Sequence, residues 1–293
     1  MNVHTVGILS PGDMGHAIGN VLHHHGMRVI TCLRDRSPRT AALATKAGMI
    51  DVADDDTLVR EADIFLSILP PAQASTLAER IAAAVQRTQA DLLFADCNAI
   101  SPRTTLSIEK LITTAGARFV DIGIIGAPPR PDRQGPRLYA SGPHATDVAP
   151  LTEYGLDVRV LGPQSGQASG LKMCYASLTK GLTALATQAL VAAEALGLTE
   201  TLTGELHESQ AQLLGWFERQ VLRMPPEAYR WVGEMRRSRA PSPTWGCRPR
   251  CWRERRPSTG WWNRRSWARR PQRSDTGTDS GGGRGYPGGH AAA

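Results

Sequence analysis

The chain contains no run of about 18 consecutive apolar residues, so no membrane-spanning helix is expected. Its N-terminus, MNVHTVGILS, carries neither a basic region nor a cleavage site, and no targeting leader is expected. Cysteine is sparse and odd in number: five residues, at 32, 97, 174, 247 and 251, lack the regular spacing of a secreted disulfide framework. A soluble, cytoplasmic protein is therefore expected. Lysine is scarcer still, with four against 30 arginines, the usage of a GC-rich gene. What remains, 293 residues at 41% hydrophobic and 21% charged, suffices for about two domains and excludes a wholly disordered chain.

A formal charge of +7 suggests a nucleic-acid partner until its distribution is considered. Residues 236–293 hold 14 basic and three acidic residues, which makes that segment eleven positive and leaves the first 235 residues four negative. From Arg236 onward there is no Leu, Ile, Val, Met, Phe or Lys, whereas five of the seven Trp are there, and the end SGGGRGYPGGHAAA is of low complexity. Such a segment builds no periodic apolar face. It reads as an Arg/Trp/Gly tail for RNA, as a disordered extension, or as translation outside the ancestral frame; the last is favoured, and nucleic acid is the weaker partner.

In the first half, a buried strand over 3–9 is followed by the turn Ser10 to Gly15, a helix closed by Gly26, and a second strand over 28–33. Further helices over 39–47, 55–61, 73–86 and 102–115 alternate with strands near 49–52, 64–69, 92–95 and 118–122. This alternation predicts an α/β, doubly wound parallel sheet covered on both faces. Helices over 167–196 and 204–222 then predict a smaller all-α domain that looks truncated, the first with a core stripe of Leu171, Tyr175, Leu178, Leu182, Leu185 and Ala189. The expected domains are 1–163 for a dinucleotide, 164–235 for substrate and dimerisation, and 236–293 as the basic tail. No metal site is expected. His23 to His25 point about 100° apart on a helix, and Cys247 and Cys251 lack a second ligand pair.

A dinucleotide turn reads G-x-G-x-x-G, and here Ser10, Gly12 and Gly15 stand at the three positions after a strand and before a helix. Ser10, Pro11, Gly12, Asp13, Met14 and Gly15 are thus the candidate phosphate cradle, with backbone N–H groups facing the pyrophosphate. Asp13 is tolerable if its carboxylate points to water. At the end of the second strand, Asp35 would suit a ribose hydroxyl, but Arg34, Arg36 and Ser37 surround it, and guanidinium pairs better with a 2′-phosphate. NADP is favoured, with NAD as the alternative.

These residues, with four further stretches, resemble the β-hydroxyacid dehydrogenases, related to 3-hydroxyisobutyrate dehydrogenase and the amino-terminal domain of 6-phosphogluconate dehydrogenase. GILSPGDMG carries the turn. Ser67-Ile68-Leu69-Pro70-Pro71 is similar to the Leu-Pro loop beside the nicotinamide ribose, which implies cofactor contacts at Leu69 and Pro70. Asp96 to Pro102 is similar to D-x-S-T-x-x-P, with Asn98 in place of serine as a cofactor-binding residue. Asp121 to Ala127 is similar to the substrate segment D-x-P-V-S-G-G, implying substrate contacts at Asp121, Gly123 and Gly126. GQASGLKMCYASLTKG places Lys172 where the family has its catalytic lysine. The run LKMCYASLTKG and the later RMPPEAYRWVGEM look like a less characterised branch with its own carboxy-terminal helical domain.

Hydride transfer to or from a carbinol carbon needs a group within about 3 Å that exchanges the hydroxyl proton, and a desolvated lysine on a rigid helix suits this. The sequence departs from the family at Ala176, where an asparagine is usual, and at Ile125, where a serine is usual, so a larger or less polar substrate is expected. Tyr175 is a further substrate-side candidate. The reading is an NADP-dependent oxidoreductase of a 3-hydroxyacid-like alcohol. The alternatives are an imine reductase, with Tyr175 or Asp121 sharing the proton role, and a nucleotide binder without turnover. A homodimer is expected if the helical domain is complete.

Overall fold

The computed structural model describes residues 3–9, 11–130, 135–225 and 228. Ser10 and the tail from 236 on lie outside the described residues. The chain divides into residues 1–248 and 249–293, and every described residue falls in the first unit.

The elements run β1 (Thr5–Ile8), α1 (Asp13–His24), β2 (Arg28–Thr31), α2 (Pro38–Lys46), β3 (Ile50–Asp51), α3 (Asp55–Glu61), β4 (Ile64–Ser67), α4 (Ala74–Thr88), β5 (Leu93–Asp96), α5 (Pro102–Thr114) and β6 (Arg118–Ile125). Then come β7 (Arg137–Ser141), β8 (Asp157–Gly162), α6 (Gln167–Ala195), α7 (Thr199–Ser209) and α8 (Ala211–Arg223). One sheet holds all eight strands in the order β3-β2-β1-β4-β5-β6-β7-β8. β1 to β6 pair in parallel; β7 runs antiparallel to β6, and β8 lies parallel to β7 at the edge. The last two strands and a 3-10 segment over Ala145–Thr152 have no counterpart in the sequence reading.

β1, β4 and β5 are buried along their whole length, as strands covered by helices on both faces must be. On one face Phe65, Phe94 and Phe119 share a register row across β4, β5 and β6, with ring centroids 5.4 and 6.2 Å apart, beneath α4 and α5. On the other, Ile8, Ile18, Leu22, Val29, Ile122 and Leu138 form the core under α1 and the 3-10 segment. Two helices start on the same four residues, Ser-Pro-Arg-Thr. Ser37 and Ser101 each accept the backbone N–H of the threonine three residues on, with proline in the first turn, which stops the preceding loop and sets the helix entry.

α6 corrects the expected stripe. Its buried residues are small or slender: Ala168, Ser169, Gly170, Met173, Ala176, Thr183, Ala186 and Ala193. Leu171, Tyr175, Leu178 and Leu185, predicted as core, are exposed, Leu178 by 62%. At the start of the helix the cause lies in β6: a Cβ on Gly123 would stand 2.5 Å from the Ala168 carbonyl oxygen, so helix and strand approach too closely there for a leucine between them. The single helix expected over 204–222 is two, broken at Gln210, which caps both α7 and α8. Among the described residues no helix is long and apolar enough to cross a membrane.

Candidate active site

The carboxyl ends of β1, β2, β4, β5 and β6 lie along one edge, and the strand order reverses between β1 and β4. In open α/β sheets the crevice at such a switch point takes the ligand. At the β1 end, Gly12 precedes α1 in extended conformation, and no side chain caps the first turn. Among the described residues a Cβ on Gly12 would meet nothing within 4 Å, so the backbone of the turn is open on that side. Gly15 lies against Ile8 and the Ile68 carbonyl, which brings the turn next to the β4 loop. Asp13 does face water, but it is also paired with Arg39 at 2.7 Å. Arg39 escaped the sequence reading; its place in the first turn of α2, opposite α1, became visible only when the two helix starts were brought side by side.

Past β2, Asp35 takes a left-handed conformation, φ 58°, which an aspartate tolerates better than most residues and which turns the chain sharply. Arg34 is exposed and Arg36 half-buried, its Nε buried with no hydrogen-bond partner among the described residues. Ser37 uses its hydroxyl to cap α2. A buried guanidinium nitrogen without an acceptor, beside a second exposed arginine, is a place where an anionic oxygen fits.

Further along the edge, Ser67, Asp96, Asp121 and Ser141 form one register row across β4 to β7, and all four are buried. Asp121 was expected to touch substrate. Instead its carboxylate accepts from the Ser141 and Ser169 hydroxyls and from the backbone N–H groups of Gly166 and Ser169. It serves the unpaired first turn of α6 from beneath, and with four donors and 1% exposure it has no face left for a ligand. Gly123 is likewise occupied by the approach of α6. Gly126, at φ 136°, packs on Pro136, so its role is also in the turn. Burial raises Asp121 above the usual carboxylate range. Burial and, secondarily, the Asp121 charge push Asp96 up to about 7.

Asn98 is buried, and its side chain turns inward. Its Oδ1 accepts the Leu69 N–H at 2.9 Å, and its Nδ2 donates to Ser67 Oγ and Asp96 Oδ1. The Leu69-Pro70 loop thus hangs from the end of β5.

Lys172 lies in the second turn of α6, partly buried, and its Nζ donates to the Ile124 carbonyl oxygen at 2.5 Å. Desolvation lowers it from 10.5 to about 8. The amino group is therefore anchored at the carboxyl end of β6, with its proton affinity lowered by burial. Tyr175, one turn along, is 46% exposed, whereas Ala176 is buried and offers no polar contact to the lysine. Ile125 is buried as well. Of the expected residues, the structure gathers Pro11 to Gly15, Leu69-Pro70, Asn98 and Lys172 along the edge of the sheet; it encloses Asp121.

Residues 5–149 match the NAD binding domain of 6-phosphogluconate dehydrogenase, and residues 193–241 match a domain of unknown function, DUF1932. An uncharacterized 28.5 kDa protein of Methanothermus fervidus is 29% identical over 207 residues, 71% of this chain and 78% of that one. Among solved structures, a conserved protein of unknown function, described as structurally similar to 3-hydroxyacid dehydrogenases, superposes with a TM-score of 0.66 at 29% identity, over 80% of this chain and 88% of that one. A Mycobacterium tuberculosis 3-hydroxyisobutyrate dehydrogenase shares the fold, with a TM-score of 0.60 at 21% identity, over 71% and 72% of the two chains. An imine reductase of Myxococcus stipitatus does so with a TM-score of 0.59 at 19%, over 72% and 74%. The chain therefore carries the NAD-binding domain of the 6-phosphogluconate dehydrogenase family, followed by a DUF1932 domain, on a fold similar to that of 3-hydroxyacid dehydrogenases.

Proposed function

We propose that the chain is an NADP-dependent oxidoreductase acting on a 3-hydroxyacid-like secondary alcohol, with Lys172 as general acid and base. The observation that carries this reading is the desolvated Lys172 amino group, fixed to the Ile124 carbonyl at the edge where the uncapped α1 turn also lies. The turn Pro11 to Gly15 holds the pyrophosphate through the backbone N–H groups of Asp13 to Gly15 at the start of α1. Arg34 and Arg36, with Ser37 at the start of α2, take the 2′-phosphate, and the orphaned Arg36 Nε gains an acceptor. The bound nicotinamide supplies or accepts the hydride. At a pKa of about 8, Lys172 is mostly protonated at neutral pH and donates to the forming alkoxide in reduction; its neutral fraction accepts the hydroxyl proton in oxidation.

Imine reduction is the second reading, favoured by the half-exposed Tyr175 beside Lys172 and by the loss of polar contacts at Ile125 and Ala176. Asp121 takes no part in it, because its carboxylate is enclosed. The uncovered leucine face of α6 supports a second copy of the chain as partner, and its leucines make that face a poor one to leave in water. Titration with NADPH and NADH, followed by turnover on hydroxyacids and on cyclic imines, tests the reading. Binding without turnover on either panel leaves a nucleotide-binding protein, and absence of dinucleotide binding overturns it.

A further inference from the structure

We propose that Asp96 and Asn98 form a positioning pair that holds the Leu69-Pro70 loop in place for the nicotinamide half of the dinucleotide. This rests on the dinucleotide reading above. The buried polar row splits into two hydrogen-bonded halves. Ser141 and Asp121 belong to the start of α6, whereas Ser67 and Asp96 belong to Asn98. In the second half one amide makes three side-chain bonds at once, to the Leu69 N–H, to Ser67 Oγ and to Asp96 Oδ1, while the Asn98 backbone N–H also donates to Asp96 Oδ1 at 2.9 Å. Two strand-end loops are thereby tied across the middle of the crevice.

The serine of the resembling motif could not do this. A hydroxyl has one proton to donate, so it holds either Ser67 or Asp96, and its shorter reach does not span to the Leu69 N–H as well. Asp96 supplies the fixed end. Its Oδ1 takes two donors, whereas Oδ2 is buried without a partner among the described residues. Asp121, its register neighbour, is satisfied by other groups. Burial beside a second carboxylate favours the neutral acid, which keeps Oδ1 as an acceptor without adding an uncompensated charge.

The test compares NADPH and NADH with their nicotinamide-free counterparts, 2′-phospho-ADP-ribose and ADP-ribose, by calorimetry on the full chain. Asn98→Ser and Asp96→Ala are expected to weaken the nicotinamide-bearing ligands by about tenfold, the effect of one lost hydrogen bond, and to leave the nicotinamide-free ligands unchanged. Asp96→Asn, which keeps an acceptor oxygen without the charge, should restore the affinity lost in Asp96→Ala. Equal weakening of both ligand sets, or none, overturns the positioning role. Should either larger change unfold the chain in thermal melts, Ser67→Ala removes a single bond of the clasp and must show the same selective loss. If the unmodified chain binds nicotinamide-free and complete dinucleotides not at all, the dinucleotide reading itself falls, and the pair with it.

Discussion

Replacing Lys172 with methionine separates the electrostatics of the site from its chemistry and needs no substrate. Methionine keeps most of the side-chain length and removes the charge. Desolvation lowers the lysine from 10.5 to about 8 in the folded chain, which corresponds to an upper bound of roughly 3 kcal/mol of folding free energy given up to hold the ammonium in place. The sign follows from proton counts: between pH 8 and 10.5 the unfolded lysine is mostly protonated and the folded one mostly is not, so stability rises with pH across that window. The original chain should therefore gain on Lys172→Met by roughly 2 to 3 kcal/mol between pH 7 and pH 10. The lost bond to the Ile124 carbonyl and the titration of other groups contribute nearly equally at both pH values and largely cancel in that difference. Urea melts of both proteins at the two pH values measure it. A stability difference that stays constant within about 0.5 kcal/mol would show that the amine is solvated and would remove the basis for its catalytic role.

In turnover, Lys172→Ala should lower kcat by about 100-fold or more with cofactor affinity nearly unchanged, and an unaltered kcat would pass the proton role to Tyr175. Arg36→Ala should erode the preference for NADPH over NADH by about 1 to 3 kcal/mol in paired titrations; equal affinities in the unmodified protein contradict the assignment. Gly123→Ala forces a methyl against the Ala168 carbonyl 2.5 Å away, so a loss of about 1 to 3 kcal/mol is expected in thermal melts, and an unchanged midpoint would mean that α6 shifts freely. Asp121→Ala removes the acceptor of four buried donors, of which only the Ser169 hydroxyl keeps another acceptor, Thr105 Oγ1, and should cost about 3 kcal/mol or more, measured the same way, whether or not substrate is present. The coding DNA read in its other frames from about codon 236 should yield a Leu- and Ala-rich amphipathic sequence, and stop codons in both frames would reject the frameshift.

The alternation of buried strands and amphipathic helices up to β6 was legible because each of those elements carries its own period and punctuation. A strand such as IFLS over 64–67 is apolar throughout, and Ser-Pro-Arg-Thr starts a helix at 37 and again at 101 by local hydrogen bonding alone. The turn from β1 into α1 was legible for the same reason, since its glycines act within a few residues. β7 and β8 were not. RLYAS and DVRVLG are short, carry arginine, and β8 lies partly open at the sheet edge, so they become strands only by pairing beyond β6.

Two decisions belonged to the tertiary structure alone. On α6 both a leucine face and a face of alanine, serine and glycine are available, and periodicity ranks the leucines inside; over the first turns of the helix β6, bare at Gly123, admits only the small face. Asp121 sits in a motif that reads as substrate-binding, but the register of β6 and the closeness of that same helix turn its carboxylate toward the first N–H groups of α6. Lys172 gains its lowered proton affinity by the same packing. Sequence period names the faces of an element and the residues upon them, whereas burial, and the pKa shifts that come with it, is a relation between two elements that exists only once they are packed together.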